Sequence, residues 1–400
     1  MLDYLLLVLI GCILGVVTGL TPGLHVNTVT LIGLSLYPLL GLSALQFSIA
    51  MVAMAIVHTF LDFIPSIFIG VPEESTALSV LPSHKLLIEG KAIEAVKLTA
   101  YGCLFGLIFS LIFLIPALYL IPLIYYGIRS FVIYIIILAI IFLILRERKI
   151  ERIFWAVASF ILSGILGLLA LDLKIISSTQ VLFPLFAGLF GLSNILFSIK
   201  SKSIPVPQEE FVKVDINKKL VFSGILGSLG GILVGVLPAM SPSQMGIIIY
   251  DIVGSDLRNF LISVSAINTS DAIYSLVALY TIHNPRSGVA AMIGKIIDID
   301  FNVLMLFIGV IAFTAAFATY MQLKIGRIAM KLMGRFNYRN VCLASFFMVF
   351  LLIYIFTGIF GVFLAILSMA IGLIPILSGI SRTHLMGVLI LPTILYFLGF

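Results

Sequence analysis

Charge is scarce in this sequence: 10% of its 400 residues are Asp, Glu, Lys or Arg, against about 25% in soluble globular domains. A surface so poor in charge is not solvated by water over most of its area, so a soluble enzyme or binding module is excluded. Cysteine is nearly absent as well. Cys12, Cys103 and Cys342 lie in apolar runs without metal-ligand spacing, which excludes a disulfide framework or zinc site and reads as three buried thiols. The net charge of +6 is spread over short loops, with no compact basic-aromatic patch, so nucleic acid is not an expected partner. The first residues, Met1-Leu2-Asp3, lack the basic segment of a signal peptide, and the first apolar run is read as mature structure. Intramembrane-enzyme signatures are missing too: there is no H-E-x-x-H, no G-x-S-x-G and no aspartate in a G-x-G-D setting. The expectation is a non-enzyme.

What remains is 62% hydrophobic, with a mean hydropathy of +1.27. Apolar runs long enough to cross a bilayer, about 20 residues each, recur from end to end. The chain reads as an all-α, multi-pass protein of the cell membrane, with lipid as its solvent. Its organising stretch is Gly11 to Thr28. Gly11, Gly15 and Gly19 share one helical face, the run breaks at Pro22-Gly23, and His25, Asn27 and Thr28 follow. The same spelling returns at Gly227, Gly231, Gly235 and Pro238, each 216 positions further on, followed by Ser241, Ser243 and Gln244. Such an internal duplication divides the chain into a first repeat (1–199), a hydrophilic linker (200–219) and a second repeat (220–400).

Each repeat is predicted to hold a broken-helix pair that meets near the membrane midplane, 4–21 with 28–41 and 220–238 with 242–254, plus five further segments. In the first half these are about 45–71, 97–125, 129–145, 153–171 and 181–199. In the second they are about 258–282, 301–321, 341–359, 361–377 and 385–399. Seven segments is an odd number, so the halves must enter the membrane from opposite sides. Charge agrees with this. If the linker is cytoplasmic, so are 72–97, the cluster Arg146 to Arg152, Asp256 to Arg258, the loop 322–340 and Ser381-Arg382. The loop 322–340 holds Lys324, Arg327, Lys331, Arg335 and Arg339 without an acid, whereas its counterpart near 126–128 is nearly bare. Two inverted-topology repeats are therefore expected, with both termini outside.

Inverted repeats with interrupted helices mark secondary transporters, because exposed backbone groups at membrane depth are tolerated only around a cavity. The glycine spacing by itself reads as close helix packing. The Pro-Gly break followed by polar residues, occurring twice, reads as a ligand cavity. There half-helix N-termini, with Thr21, Pro22, Gly23, His25, Asn27 and Thr28 on one side and Pro238, Ser241, Ser243 and Gln244 on the other, would hold a small anion. A second constellation follows: Thr59, Asp62 and Ser66 match Asn268, Asp271 and Ser275, each 209 positions on. Spacings of three and four put each trio on one helical face. His58, four residues before Asp62, is placed to pair with it. An aspartate in a membrane helix costs about 2.5–3.5 kcal/mol on insertion scales, so these positions suit a coupling site for H⁺ or Na⁺. No resident cofactor or metal is expected.

These residues resemble the large membrane subunit of the tripartite tricarboxylate transporters, the TctA type. The likeness lies in Gly15-x3-Gly19-x2-Pro22-Gly23, in Ser-Ile-Phe-Ile-Gly-Val-Pro from Ser66 to Pro72, and in Gly90-Lys91-Ala92. It implies a permease for organic anions, cation-coupled and served by an extracytoplasmic binding protein and a small membrane subunit. Bacterial members tend to follow Pro-Gly with further glycine, where this chain has Leu24 to Thr28. Their second Pro-Gly is Pro238-Ala239 here, and their Ile-Pro-Gly is Pro72-Glu73. A Pro-Gly element followed by polar residues and Thr is also similar to the polyprenyl-phosphate transporters, which makes a lipid-phosphate translocase the alternative.

Overall fold

The structure, a computed structural model, describes residues 2–22, 26–70, 76–173, 175, 178–200, 207–237, 241–254, 256–333 and 338–399. Among the described residues it is all-helical. In chain order the helices are α1 (Leu2–Leu20), α2 (Val26–Leu36), α3 (Ala44–Leu61), α4 (Phe63–Phe68), α5 (Val80–Ile88), α6 (Ala92–Ile112), α7 (Leu114–Ile128), α8 (Val132–Leu145) and α9 (Ile150–Asp172). There follow α10 (Ser178–Phe186), α11 (Ser193–Lys200), α12 (Lys218–Val234), α13 (Pro242–Val253) and α14 (Leu257–Ile282). The last are α15 (Gly288–Ile293), α16 (Phe301–Met333), α17 (Tyr338–Ser378) and α18 (Gly387–Leu398). A π-turn over Ala187–Leu192 joins α10 to α11. Among the described residues, eight helices are long and apolar enough to cross a membrane. The count is nine if α7 and α8, bent by 88° at their junction, form one span.

Prolines set two of the breaks. The ring of a helical proline collides with the carbonyl four residues earlier. Pro65 therefore ends α3 at Leu61 and leaves Asp62 at the junction with α4. Pro116 likewise ends α6 at Ile112, so the predicted 97–125 span is two helices. No proline stands at the equivalent place in the second half, and α14 runs unbroken through Asp271. The predicted spans 341–359 and 361–377 are one element, α17, kinked at Gly358, whose φ of 66° suits glycine. Most of the expected loop 322–340 is helical as far as Met333; its Lys, Arg, Met and Ile residues simply extend α16.

Packing follows the glycines. A Cβ on Gly11 would run into the Ala50 carbonyl, one on Gly15 would sit 2.6 Å from the Met54 carbonyl, and one on Gly19 would sit 2.8 Å from Leu61 Cβ. These residues seat α1 backbone-to-backbone on α3. Gly227 and Gly231 seat α12 on α14 in the same manner, against Ala266 and Ser270. Exchange between halves is reciprocal: α6 packs on α14, and α16 packs on α3. One apolar core joins these helices. A second body gathers α8, α9, α10, α17 and α18. Large apolar side chains on the outside, such as Tyr119, Leu138, Phe154 and Ile359, are exposed, as a lipid-facing surface requires.

Polar segments gather at one end of α14. Arg258 pairs with Glu94 at 2.5 Å, Arg146 with Asp251 at 2.6 Å, and His384 with Glu147 at 3.0 Å. The linker docks there as well: Gln208 donates to the Leu87 carbonyl at 2.9 Å, and Glu209 N–H donates to the Gly90 carbonyl at 2.8 Å. At the other end of α14, Asn284 donates to the Tyr125 hydroxyl at 2.8 Å.

Replacing Gly15 by leucine is expected to destabilise the purified protein by about 1–3 kcal/mol or more, as overpacking does. The same change at Gly127, where an added Cβ meets nothing within 4 Å, should stay within about 0.5 kcal/mol. Unfolding transitions of both variants in one detergent check this.

Candidate transport site

The glycine contacts fix where the polar faces of α3 and α14 meet. Asn268 Nδ2 donates to Asp62 Oδ2 at 3.1 Å and lies 3.4 Å from the Thr59 carbonyl. Pro65 frees that part of α3 from regular pairing, so Asp62 sits at a helix end, 3% exposed. Asp271 lies one turn beyond Asn268 on α14. Both aspartates line one cavity of about 220 Å³. The remaining wall comes from Asn27 of α2, His58 of α3, Pro242 of α13, and the turn Arg286-Ser287-Gly288 that opens α15.

Arg286 brings a guanidinium to this cavity. Its Nη1 donates at 3.1 Å to the carbonyl of Val234, the last residue of α12, where helix carbonyls lack intrahelical partners. Gly288 lets this turn touch α2: a Cβ there would sit 2.5 Å from Asn27 Cγ. The turn is held in place by Ser275, whose Oγ accepts from Ser287 N–H at 2.7 Å. Its repeat equivalent, Ser66, contacts Ser79 Oγ at 3.4 Å, so each of these serines ties its helix to the segment that follows.

His58 Nδ1 stands 3.2 Å from Thr18 Oγ1, which ties α3 to α1 beside the cavity. Two polar residues of the second break, Ser241 and Gln244, have a local duty. Ser241 caps α13 and forms a reciprocal box with Gln244: Ser241 N–H donates to Gln244 Oε1 at 2.9 Å, and Gln244 N–H donates to Ser241 Oγ at 3.3 Å. Ser243 Oγ accepts from Leu78 N–H at 3.3 Å. None of the three lines the aspartate cavity. In the first break Asn27 does. Thr21 is half-buried in the bend after α1, its N–H donating to the Val17 carbonyl at 3.1 Å, and Pro22 is buried. Gly23, His25 and Pro238 lie outside the described residues, as does the side chain of Thr28. Sequence reading did not select Arg286, Pro242 or Gly288. The signal for Arg286 and Gly288 is Pro285-Arg286-Ser287-Gly288, a cation set between turn-forming residues in an otherwise weakly charged stretch.

A multi-pass helical bundle with a carboxylate-lined cavity between paired internal helices defines a membrane transport protein rather than a soluble module. The chain belongs to the tripartite tricarboxylate transporter TctA family, whose family model matches residues 5–387. It is similar to an uncharacterized protein of Methanocaldococcus jannaschii, with 30% identity over 408 aligned positions covering 98% of this chain and 99% of that one. No solved structure matches the chain. The protein is thus a multi-pass membrane protein of a transporter family.

The Asp62–Asn268 contact is open to a double-mutant cycle. Asn268→Leu keeps volume but removes a donor to a buried carboxylate, and should lower stability by about 1–3 kcal/mol. Adding Asp62→Leu should cost less than the two single changes summed. Strictly additive losses in thermal unfolding would mean that the two side chains do not interact.

Proposed function

We propose that this chain is a secondary-type permease that moves an organic anion of the di- or tricarboxylate class by alternating access, coupled to entry of H⁺ or Na⁺ at the Asp62–Asp271 cavity. One observation carries the reading: two aspartates from equivalent places in the duplicated sequence line a single buried cavity, in a chain of a tricarboxylate transporter family.

The cavity suits a cation better than the organic anion. At about 220 Å³ it is below the roughly 300–1,000 Å³ of sites for organic ligands. It brings two carboxylates together with the guanidinium of Arg286 and the imidazole of His58, a polar setting that can take up a small positive ion. For accumulation inside a negative compartment, coupling to such an ion is energetically required. Moving an anion toward a negative interior costs about 2.3 kcal/mol per charge per 100 mV, and a co-bound cation cancels that cost. A buried carboxylate reached by water binds H⁺ or Na⁺ and neutralises the loaded carrier before it moves.

The two halves, 1–199 and 220–400, are read as inverted repeats joined by the connector 200–219. The end where Arg146, Arg258 and the linker gather is assigned to the cytoplasm, because basic loops are retained there. The tripartite family points to an extracytoplasmic binding protein and a small membrane subunit as partners on and beside the opposite face.

Asparagine at position 62 or 271 keeps shape and hydrogen bonding while removing the titratable charge. Either change should reduce gradient-driven uptake by reconstituted protein by about 5- to 150-fold, the usual span of coupling between two sites. Counterflow exchange of substrate, which needs no net cation movement, should fall much less. Unchanged gradient dependence in both single variants and the double variant would reduce the aspartates to structural groups.

A further inference from the structure

A second and larger cavity, of about 790 Å³, lies between the two apolar bodies of the bundle. His84 of α5 and Tyr250 of α13 stand on one side of it; Asn194 of α11 and Pro375, Ile376 and Arg382 stand on the other. Its rim includes Lys85, Glu89 and Arg146, so it opens at the end where the basic loops gather.

Arg382 is only 5% exposed, and the fold builds a seat for it. The π-turn over Ala187–Leu192 displaces regular helical pairing and leaves carbonyls available. Arg382 Nη2 donates to two of them, Leu189 at 2.9 Å and Phe190 at 2.7 Å, and to Ser193 Oγ at 2.9 Å. Its guanidinium lies 5.3 Å from the Phe190 ring centroid, a cation–π distance. Carbonyls and a ring solvate the charge without neutralising it. Among the described residues no carboxylate pairs with Arg382, and its Nε and Nη1 have no acceptor. His84, 7% exposed, lines the same cavity with part of its side chain, while its ring nitrogens are sealed from it, Nε2 facing Gly70. A guanidinium taken out of water without a counter-charge is strongly destabilising, so the arrangement calls for an anion.

We infer that this cavity binds the organic anion itself, its charge held in the field of the buried Arg382 and its carbon body against the apolar walls. The assignment rests on the permease reading and deepens it, by separating the anion from the cation. The volume lies within the range of organic-ligand sites, about 300–1,000 Å³, and far exceeds what an inorganic ion needs. Helix α13 forms part of both walls, through Pro242 at the aspartate cavity and Tyr250 here. A single rigid element therefore borders both ligands, which is the connection that coupled binding requires.

The test uses the full chain in lipid nanodiscs, with citrate, succinate and inorganic phosphate as probes in calorimetric titration. Wild type should bind both carboxylates, and Arg382→Gln should weaken citrate by about 30-fold or more, as expected for a buried charge partner. In parallel, Ile376→Cys places a thiol on the wall; the native cysteines are buried. Citrate should slow maleimide labelling of that thiol in an otherwise wild-type chain, which keeps the test decisive even if Arg382→Gln fails to fold. Wild-type citrate affinity in a folded Arg382→Gln, or labelling that citrate leaves unchanged, overturns the location while leaving the permease reading standing. Binding of phosphate without either carboxylate overturns the ligand class, and binding of none of the three overturns the carboxylate reading as a whole.

Discussion

Two backbone-to-backbone helix contacts hold the rest of this molecule in register: α1 on α3, and α12 on α14. Lipid offers apolar side chains no reason to leave it, so helices in a membrane are held by close packing and by polar contacts between them. Gly11, Gly15 and Gly19 remove every Cβ from one face of α1, and Gly227 and Gly231 do the same for α12. Each glycine helix is thereby pinned to a partner with little freedom to slide. Because α3 and α14 carry the aspartates, the same contacts set the depth at which Asp62 and Asp271 lie. The reciprocal crossings of α6 onto α14 and α16 onto α3 then bring both into one cavity.

Charge decides what the two cavities are suited to hold. Carboxylates are costly at membrane depth and are retained where partners or a functional ion compensate them. Asn268 supplies part of that compensation to Asp62 in the smaller cavity, where Arg286 and His58 also stand. In the larger one the sign is reversed: Arg382 is solvated by backbone carbonyls and an aromatic ring, and no acid is paired with it among the described residues. A carrier that must move an anion against the membrane potential gains from keeping opposite charges in separate, adjoining compartments, because each then binds its own ion without competing contacts.

Much of this was legible in the sequence. The glycine spacing and the matching Asp62 and Asp271 were readable because the same landmarks stand twice in the sequence. The end of α3 at Leu61 follows from Pro65 by local sterics alone. The polar residues after the second break were harder to assign, since Ser241 and Gln244 fit a capping box as well as a ligand site, and the local duty is the one observed. Arg286 and Arg382 were not legible as site residues. Their roles depend on contacts with Val234 and with the π-turn at Leu189 and Phe190, which lie far away in sequence. The kink at Gly358 and the helical extension of α16 were missed for a related reason: hydropathy marks where a chain leaves the membrane, not whether the helix stops there.

Coupling of anion movement to a cation is the central claim, and a reversal-potential measurement on the reconstituted wild-type protein tests it most directly. With a fixed carboxylate gradient across the vesicle membrane, the voltage at which net substrate flux vanishes is recorded while the Na⁺ or H⁺ gradient is varied. The account predicts that this voltage shifts systematically with one of the two cation gradients. A reversal voltage that depends only on the substrate gradient and its charge would contradict it.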